Sequence, residues 1–279
     1  MEIVFLGSGA GELWPSVFCN CEACQAAIAQ QGKRGRIGSC ILVDGKYLFD
    51  IPPNVNLAAI HLGISLAEVG HLFITHSHQD HLDPGVLAAT GRVDGPPLHI
   101  YCNRRVAELL PVYQQFNRFF DPERLNLHIN VLEPLDSVGG AEDEFSLTAL
   151  AADHDTSGGE EPLIYSFARG GKTILYACDT GWFPDRTWAE IEKRQYDVVV
   201  LDCTCHELQE CRRGHLSSEP FLEIKQRFEK EGLLKSGGRF IAQHLVHMHK
   251  GDDLSHQQLT ERFAQHGVEV AYDGMVLSI

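Results

Sequence analysis

The segment Thr75–His81, with the sequence THSHQDH, restricts the possible folds and functions of this chain more than any other. It places three imidazoles and one carboxylate within six residues, directly after an apolar run at 71–74 that predicts a short buried strand. The carboxyl end of a strand is where open α/β sheets hold their chemistry. Clustered imidazoles need polar or metal partners, so the segment predicts a metal site on a loop. The alternative is a polar loop that is rich in histidine by chance.

The spacing of these side chains predicts two ions rather than one. His76 and His78 lie two residues apart and can converge on one metal, while Asp80 and His81, one turn further on, can serve a second ion nearby. Two adjacent divalent cations can lower the pKa of a bound water and stabilise the charge that develops during phosphoryl transfer. The sequence leaves the catalytic metal open between zinc, manganese and iron, since each accepts His and Asp ligands.

The HxHxDH pattern resembles the signature of the metallo-β-lactamase superfamily, whose binuclear hydrolases add a His, a bridging Asp and a last His further along the chain. Candidates occur in that order, and each directly follows an apolar run. The ligands that the resemblance implies are His76, His78 and His154 for one ion, Asp80, His81 and His244 for the other, and Asp179 as the bridge.

The order of strand and helix patterns predicts an α/β fold. Asp44-Gly45 between two short apolar runs indicates a tight hairpin. Helical patterns occur at about 55–62, 104–117, 185–194, 217–231 and 254–266, and strand patterns at about 72–75, 98–101, 128–133, 145–150, 163–168, 173–177, 197–201 and 239–242. Helices around two facing sheets give the αββα sandwich of the metallo-β-lactamase fold. No linker or repeat indicates a second unit, so we expect one domain over 1–279.

A second cluster lies near the amino terminus, where Cys19, Cys21 and Cys24 place three thiols within six residues. Tetrahedral zinc takes four soft or borderline ligands, so one is missing. His247 is the candidate, and His249 is its nearest rival. A Cys3His set would form a closed structural zinc site on a small loop at about 19–24. The alternatives are reduced, buried thiols or a disulfide, although thiols this close in sequence rarely meet disulfide geometry.

The amino-terminal CxCxxC and the carboxyl-terminal HxxH together resemble, within the superfamily, the PhnP-type phosphodiesterases of the carbon–phosphorus lyase pathway. Matching segments extend along nearly the whole chain, from Gly7-Ser8-Gly9 to Tyr272–Met275. The resemblance implies hydrolysis of a ribose cyclic phosphate. One departure is Asp50-Ile51-Pro52-Pro53, where family members commonly have Asp-Ala-Gly, and this proline pair can reshape the floor of the substrate site.

The alkoxide of a sugar is a poor leaving group and needs a proton, for which His215 is the predicted donor. It precedes an apparent helix and matches the family's Gly-His position, and Asp202 at the end of its strand would orient it. The alternatives are an exposed loop histidine and a carboxylate that only caps its strand. Arg34 and Arg36 are candidate phosphate contacts, with an ordinary solvated basic run as the alternative.

The charge of the chain restricts its partners. A formal net charge of -15 would repel the backbone of a long nucleic acid, but it is compatible with divalent metals and a small phosphorylated substrate. No apolar run approaches the roughly 18 residues of a membrane helix, and the sequence begins at once with a strand pattern, without a signal peptide. We therefore expect a cytoplasmic protein without a membrane partner. Oligomeric state stays open, with a homodimer as one option.

The sequence thus predicts a metal-dependent hydrolase with two divalent ions, zinc or manganese, at the catalytic site and one structural zinc. The predicted activity is hydrolysis of a small cyclic phosphodiester such as a ribose cyclic phosphate. Two alternatives remain: a hydrolase of the same fold that acts in RNA processing or on thioesters, and a protein that binds a metabolite without catalysis.

Overall fold

The computed structural model of the protein describes residues 1–30, 35–89, 95–140, 144–156, 158–206, 211–247 and 255–279. The strands in these ranges are β1 (Glu2–Gly7), β2 (Cys40–Val43), β3 (Tyr47–Phe49), β4 (His71–Phe73), β5 (Leu98–Cys102), β6 (Leu127–Val131), β7 (Ser137–Gly139), β8 (Ser146–Ala151), β9 (Leu163–Arg169), β10 (Lys172–Ala177), β11 (Tyr196–Asp202), β12 (Leu234–Gln243), β13 (Val268–Val270) and β14 (Val276–Ser278). The helices are α1 (Glu22–Gln30), α2 (Val55–Leu62), α3 (Pro84–Ala88), α4 (Arg104–Phe116), α5 (Asp185–Ile191), α6 (Ser218–Lys230) and α7 (His256–Ala264).

The strands form two sheets of seven. One has the order β14-β1-β2-β3-β4-β5-β6, and the other has the order β13-β12-β11-β10-β9-β8-β7. In the first sheet the hairpin strands β2 and β3 are antiparallel, whereas β3 to β6 run parallel. In the second sheet β7 to β10 are antiparallel and β10 to β13 are parallel.

Three apolar layers hold the fold together. The central layer contains buried aromatic side chains of both sheets, including Phe49 and Phe73, whose rings lie 4.7 Å apart. Val106 and Leu110 of α4 are buried against the outer face of the first sheet. Phe221 of α6 is buried against the outer face of the second. A helix layer on each side of two facing sheets is the αββα sandwich that the sequence predicts.

The register of the parallel strands brings several carboxyl ends to one rim. Leu201 of β11 lies opposite Ala177 of β10, and Asp202 lies opposite Gln243 of β12. His244, which follows Gln243, and Asp179, two residues after Ala177, therefore emerge at the same rim, on either side of β11. This rim of the second sheet is where the predicted ligand loops begin.

Most predicted elements are confirmed, including the hairpin at Asp44-Gly45, where both residues adopt positive φ as a type I′ turn requires. The sequence analysis missed α1, α3, β13 and β14, each of nine residues or fewer. None of the predicted strands covers Ser137–Gly139, which pairs with β8 as β7. Among the described helices, none combines the length and apolar character that a bilayer crossing requires.

Candidate metal centre

The predicted ligands converge into two groups that share Asp179. One group contains His76, His78, His154 and Asp179, and the other contains Asp80, His81, Asp179 and His244. Within each group the ligand atoms all lie within 4.8 Å of one another. The structure therefore brings together all seven side chains that the sequence analysis assigned to the binuclear site, in the same two sets.

The ligand atoms within each of the two groups lie close to one another. Nε2 of His154 lies 3.1 Å from Nδ1 of His78 and 3.4 Å from Oδ2 of Asp179. Nε2 of His76 lies 3.3 Å from the same carboxylate oxygen. In the second group Nε2 of His81 lies 3.2 Å from Nε2 of His244 and 3.2 Å from Oδ2 of Asp179.

Four of the five imidazoles are held by a hydrogen bond on Nδ1. The partner of His81 is Oδ2 of Asp50 at 2.8 Å, and that of His154 is the carbonyl of Gly214 at 2.8 Å. Nδ1 of His76 lies 3.0 Å from Oγ1 of Thr75, and Nδ1 of His244 lies 2.7 Å from Oγ1 of Thr204. Both hydroxyls donate to a carboxylate, so each accepts from the imidazole. A proton on Nδ1 leaves the Nε2 lone pair directed into the cluster.

This arrangement fits a pair of metal ions. Ligand nitrogens about 2.0–2.1 Å from a tetrahedral ion are about 3.3 Å from each other, close to the spacings observed in both groups. Nε2 of His76 and Oδ1 of Asp179 are buried and have no hydrogen bond of acceptable geometry among the described residues. Buried polar atoms that converge without partners need a cation or a water to satisfy them.

His76 and Asp179 have the charge states that metal ligands need, whereas His81 holds a proton that an ion would have to displace. Burial, assisted by the neighbouring His81, lowers the pKa of His76 to about 3, so its imidazole stays neutral. Burial would raise the pKa of Asp179, but the charges of His244 and His81 outweigh it and hold the pKa well below its usual range. Burial would likewise lower the pKa of His81, but Asp80 and Asp50 raise it well above its usual value. A metal ion would compete with that proton for the Nε2 lone pair.

Three of the site residues adopt a left-handed backbone. Asp50, Asp179 and His244 have φ of 63°, 55° and 61°. Each follows the last residue of a strand or lies two residues beyond it, and the sharp turn directs its side chain across the rim. Non-glycine residues in this region are strained by roughly 1–3 kcal/mol, a cost that is concentrated at functional sites.

His215 and Asp202 lie against this cluster. Nδ1 of His215 lies 3.0 Å from Oδ2 of Asp202 and 3.4 Å from Oδ1 of Asp179. The ring centroid of His215 lies 4.9 Å from that of His154. Burial lowers the pKa of His215, but the hydrogen bond and charge of Asp202 outweigh it, so the pKa lies above its usual value. The structure thus joins the pair that the sequence analysis linked, although Asp202, His215, Asp179 and His244 also satisfy the spacing of a metal-binding group.

The predicted structural zinc ligands also converge. Nε2 of His247 lies 3.2 Å from Sγ of Cys24, 3.4 Å from Cys19 and 3.6 Å from Cys21. Sulfur and nitrogen ligands of tetrahedral zinc lie about 3.5 Å apart, given bonds of about 2.3 and 2.0–2.1 Å. Trp14 stacks on His247 at 5.5 Å and covers one side of the cluster. Burial raises the pKa of Cys24 to about 12, so a thiolate there needs a neighbouring cation. His249 lies outside the described residues.

The prediction that Arg36 contacts phosphate is wrong. Its side chain is 1% exposed and donates from Nη1 to Oγ of Ser8 and to the carbonyl of Ala271, both at 2.7 Å. Pairing of its backbone with Trp14 turns the side chain inward, where it joins a buried network with Asp273. Arg36 is therefore a structural residue. Arg34 lies outside the described residues.

Sequence reasoning missed several residues that support the site. Asp50 accepts from the backbone N–H of Thr75 at 2.8 Å as well as from His81, and Thr204 links Asp202 to His244. These residues reach the candidate ligands because particular strand ends are neighbours in the fold, and no local sequence pattern shows which strands are neighbours. Arg213, two residues before His215, is exposed and lines a cleft of ≈ 470 Å³ with Trp182 and with Asp153, which precedes His154.

Comparison with known proteins defines the family. Residues 48–236 match the β-lactamase superfamily domain. Ribonuclease Z of Geobacillus kaustophilus is 27% identical over 205 residues, which cover 72% of this chain and 61% of that protein. Coenzyme PQQ synthesis protein B of Klebsiella pneumoniae is 24% identical, over 100% of this chain and 98% of the relative. A crystal structure described as a new diphosphatase from the PhnP family has a TM-score of 0.74 and 20% identity, covering 99% of this chain and 96% of that one.

The match to the superfamily domain covers more than half of the chain, and the ligand loops lie at the carboxyl ends of the strands. The chain therefore belongs to the metallo-β-lactamase superfamily and has the fold of a metal-dependent hydrolase. The chain spans 61% of the length of the ribonuclease Z that it matches.

Proposed function

We propose that this protein is a binuclear metal-dependent phosphodiesterase that hydrolyses small cyclic phosphodiesters, such as a ribose cyclic phosphate. His76, His78 and His154 would hold one zinc or manganese ion, Asp80, His81 and His244 the other, and Asp179 would bridge them. When bound, the two ions would lower the pKa of a water and neutralise charge on the phosphoryl group. A third ion, zinc, would be held by Cys19, Cys21, Cys24 and His247.

The observation that carries this proposal is the position of His215. Its ring lies beside both ligand groups, and Asp202 accepts from Nδ1, so the Nε2 edge is available to donate a proton. An alkoxide leaves poorly without protonation, whereas a thiolate leaves readily. A histidine in this place therefore favours a phosphodiester with a sugar or alkyl leaving group over a thioester.

Two of the known proteins support cleavage of phosphorus–oxygen bonds. One is named as a ribonuclease and the other as a diphosphatase. The net charge of -15 favours a small substrate over RNA, because a long phosphate backbone would be repelled. With Arg36 buried, we assign the exposed Arg213 as the cation that contacts the substrate on the His215 side. The nine free cysteines are consistent with a reducing compartment, and we propose the cytoplasm.

The test is a hydrolysis screen with protein of known metal content. A ribose cyclic phosphate, an acyclic phosphodiester, a phosphomonoester, a thioester and a β-lactam are compared at equal concentration. We expect turnover of the diesters and little action on the monoester, whose additional negative charge would compete with a hydroxide nucleophile. Asp179→Asn and His154→Ala should abolish turnover, whereas Asp121→Asn and His128→Ala, in the segment around β6, should retain it.

Two results would overturn the proposal. Turnover of the thioester or lactam without the diesters would assign another ester class. Full metal content without turnover of any compound would favour a metabolite-binding protein.

A further inference from the structure

Glu160 accepts hydrogen bonds from Ser77, the residue between His76 and His78 of the first ligand group. Ser77 separates His76 from His78, and both of its donors bond to Glu160. The backbone N–H donates to Oε1 at 2.8 Å, and the hydroxyl donates to Oε2 at 2.6 Å. The hydroxyl bond is short, as charge-assisted hydrogen bonds are.

The same carboxylate is anchored to a helix. Nδ2 of Asn103 donates to Oε1 of Glu160 at 2.8 Å, and Oδ1 of Asn103 accepts from the backbone N–H of Val106 as the N-cap of α4. Thr156 donates to the carbonyl of Glu160 at 3.2 Å. The position of Ser77 is therefore fixed relative to the end of a 13-residue helix rather than to a loop alone.

His78 differs from the other four histidines in how it is held. The other four are fixed through Nδ1 by a neighbouring side chain or carbonyl. Nδ1 of His78 faces His154 instead, and among the described residues no second hydrogen bond to its ring is found. The orientation of His78 therefore depends on its backbone. That backbone is held on one side through Ser77 and on the other by the His78 carbonyl, which accepts from the N–H groups of His81 and Leu82.

We propose that Glu160 is a positioning residue for the ion of the His76, His78 and His154 group, and that it acts through Ser77. This inference rests on the binuclear site proposed above. His81 and His244 of the second group are oriented by Asp50 and Thr204, neither of which bonds to Glu160 or Ser77 among the described residues. Loss of Glu160 should therefore weaken one of two ions selectively.

Outer residues that orient metal ligands typically contribute a factor of about 10–100 to metal affinity. We expect Glu160→Ala to raise the dissociation constant of one Mn²⁺ by about that factor and to leave the other nearly unchanged. Glu160→Gln is isosteric. Its carbonyl oxygen can accept from Ser77 N–H and Asn103, and its amide can donate to the Ser77 hydroxyl, so it should restore most of the affinity.

The experiment titrates Mn²⁺ into protein whose catalytic ions have been removed and whose structural zinc is retained, with free Mn²⁺ measured by electron paramagnetic resonance. His154→Ala and His244→Ala assign the two binding steps. Glu161→Ala is the matched control, because Glu161 pairs with Arg186 on the surface and does not contact Ser77. Ser77→Ala removes only the hydroxyl bond and provides a second variant if Glu160→Ala folds poorly.

Selective weakening of the His154 step in Glu160→Ala and Ser77→Ala, with rescue by Glu160→Gln, would support the inference. Equal weakening of both steps, a result equal to that of Glu161→Ala, or failure of Glu160→Gln to rescue would overturn it. Wild-type protein that binds fewer than two Mn²⁺ ions would instead contradict the proposed binuclear function.

Discussion

The substitution His215→Ala distinguishes proton donation by this imidazole from phosphate positioning and metal binding. A general acid matters in proportion to how much the leaving group needs a proton. Loss of such an acid typically costs 10²–10⁴-fold in rate, about 2.7–5.5 kcal/mol of activation free energy. We expect a loss of this size on a diester with an alkyl or sugar leaving group. On a nitrophenyl diester, whose leaving group departs as a stable anion, the loss should be below about tenfold.

The structure indicates that this substitution leaves the surroundings intact. The side chain of His215 is 29% exposed, so its removal opens no closed cavity. Asp202 keeps three donors without it, namely the backbone N–H groups of Thr204 and Leu216 and the hydroxyl of Thr204. The buried carboxylate therefore stays satisfied, and we expect a change in unfolding free energy of about 1 kcal/mol or less.

The assay measures kcat/KM on both diesters for wild type and His215→Ala, with metal content determined on the same samples. His128→Ala is the matched control, because His128 is exposed and its ring hydrogen-bonds to Asn126 rather than to a residue of either ligand group. An equal loss on both diesters would refute proton donation and indicate phosphate positioning. Loss of an ion would make His215 a ligand, as its place among Asp179, Asp202 and His244 permits.

Three further predictions follow from the structure. Cys21→Ser should remove the structural zinc and lower the unfolding free energy by on the order of several kcal/mol, as measured by elemental analysis and denaturant unfolding, while Cys211→Ser keeps the zinc. Arg213→Gln should raise KM for a phosphodiester about tenfold with little change in kcat, and Arg124→Gln should not; a fall in kcat alone would contradict substrate binding. Burial raises the pKa of Asp273 from 3.8 to about 6, against hydrogen bonds from Ser8 and Ile37 and the charge of Arg36. The folded state then binds the proton of Asp273 more tightly than the unfolded state does. As the pH rises from about 4 to 7, wild type should therefore lose up to about 3 kcal/mol of unfolding free energy relative to Asp273→Asn. A difference between the two proteins that does not change with pH would contradict this prediction.

The convergence of the candidate metal ligands could be predicted from sequence because most of them lie within three residues of the end of an apolar strand. His154, Asp179 and His244 come after β8, β10 and β12, whose carboxyl ends lie at the same rim of the second sheet. A sequence pattern in which a candidate ligand follows a strand therefore predicts most of the arrangement of these side chains at the rim. The Cys3His cluster could be predicted for another reason: three thiols within six residues supply three of the four ligands that tetrahedral zinc takes.

The residues that orient the ligands could not be predicted in this way. Asp50 acts on His81 because β3 and β4 are parallel neighbours and because Asp50 adopts positive φ. Glu160 bonds to Ser77 across 83 residues of sequence, and no local pattern shows that these two residues meet. Arg36 illustrates the reverse error. A basic run near a proposed phosphate site favours substrate contact, but an isolated antiparallel bridge between Arg36 and Trp14 directs this guanidinium into the protein.

Asp202 is linked by hydrogen bonds to the proposed proton donor, His215, and to a proposed metal ligand, His244. Its Oδ2 accepts from Nδ1 of His215 and from the hydroxyl of Thr204, and that hydroxyl in turn accepts from Nδ1 of His244. One buried carboxylate thereby orients both the proposed acid and a proposed metal ligand. A proton donated by His215 would therefore arrive at a fixed place relative to an ion held by His244, because both imidazoles are anchored to Asp202, one directly and one through Thr204. Asp202 is fully buried, whereas the side chain of His215 is 29% exposed, as a group that donates a proton to a bound substrate would have to be.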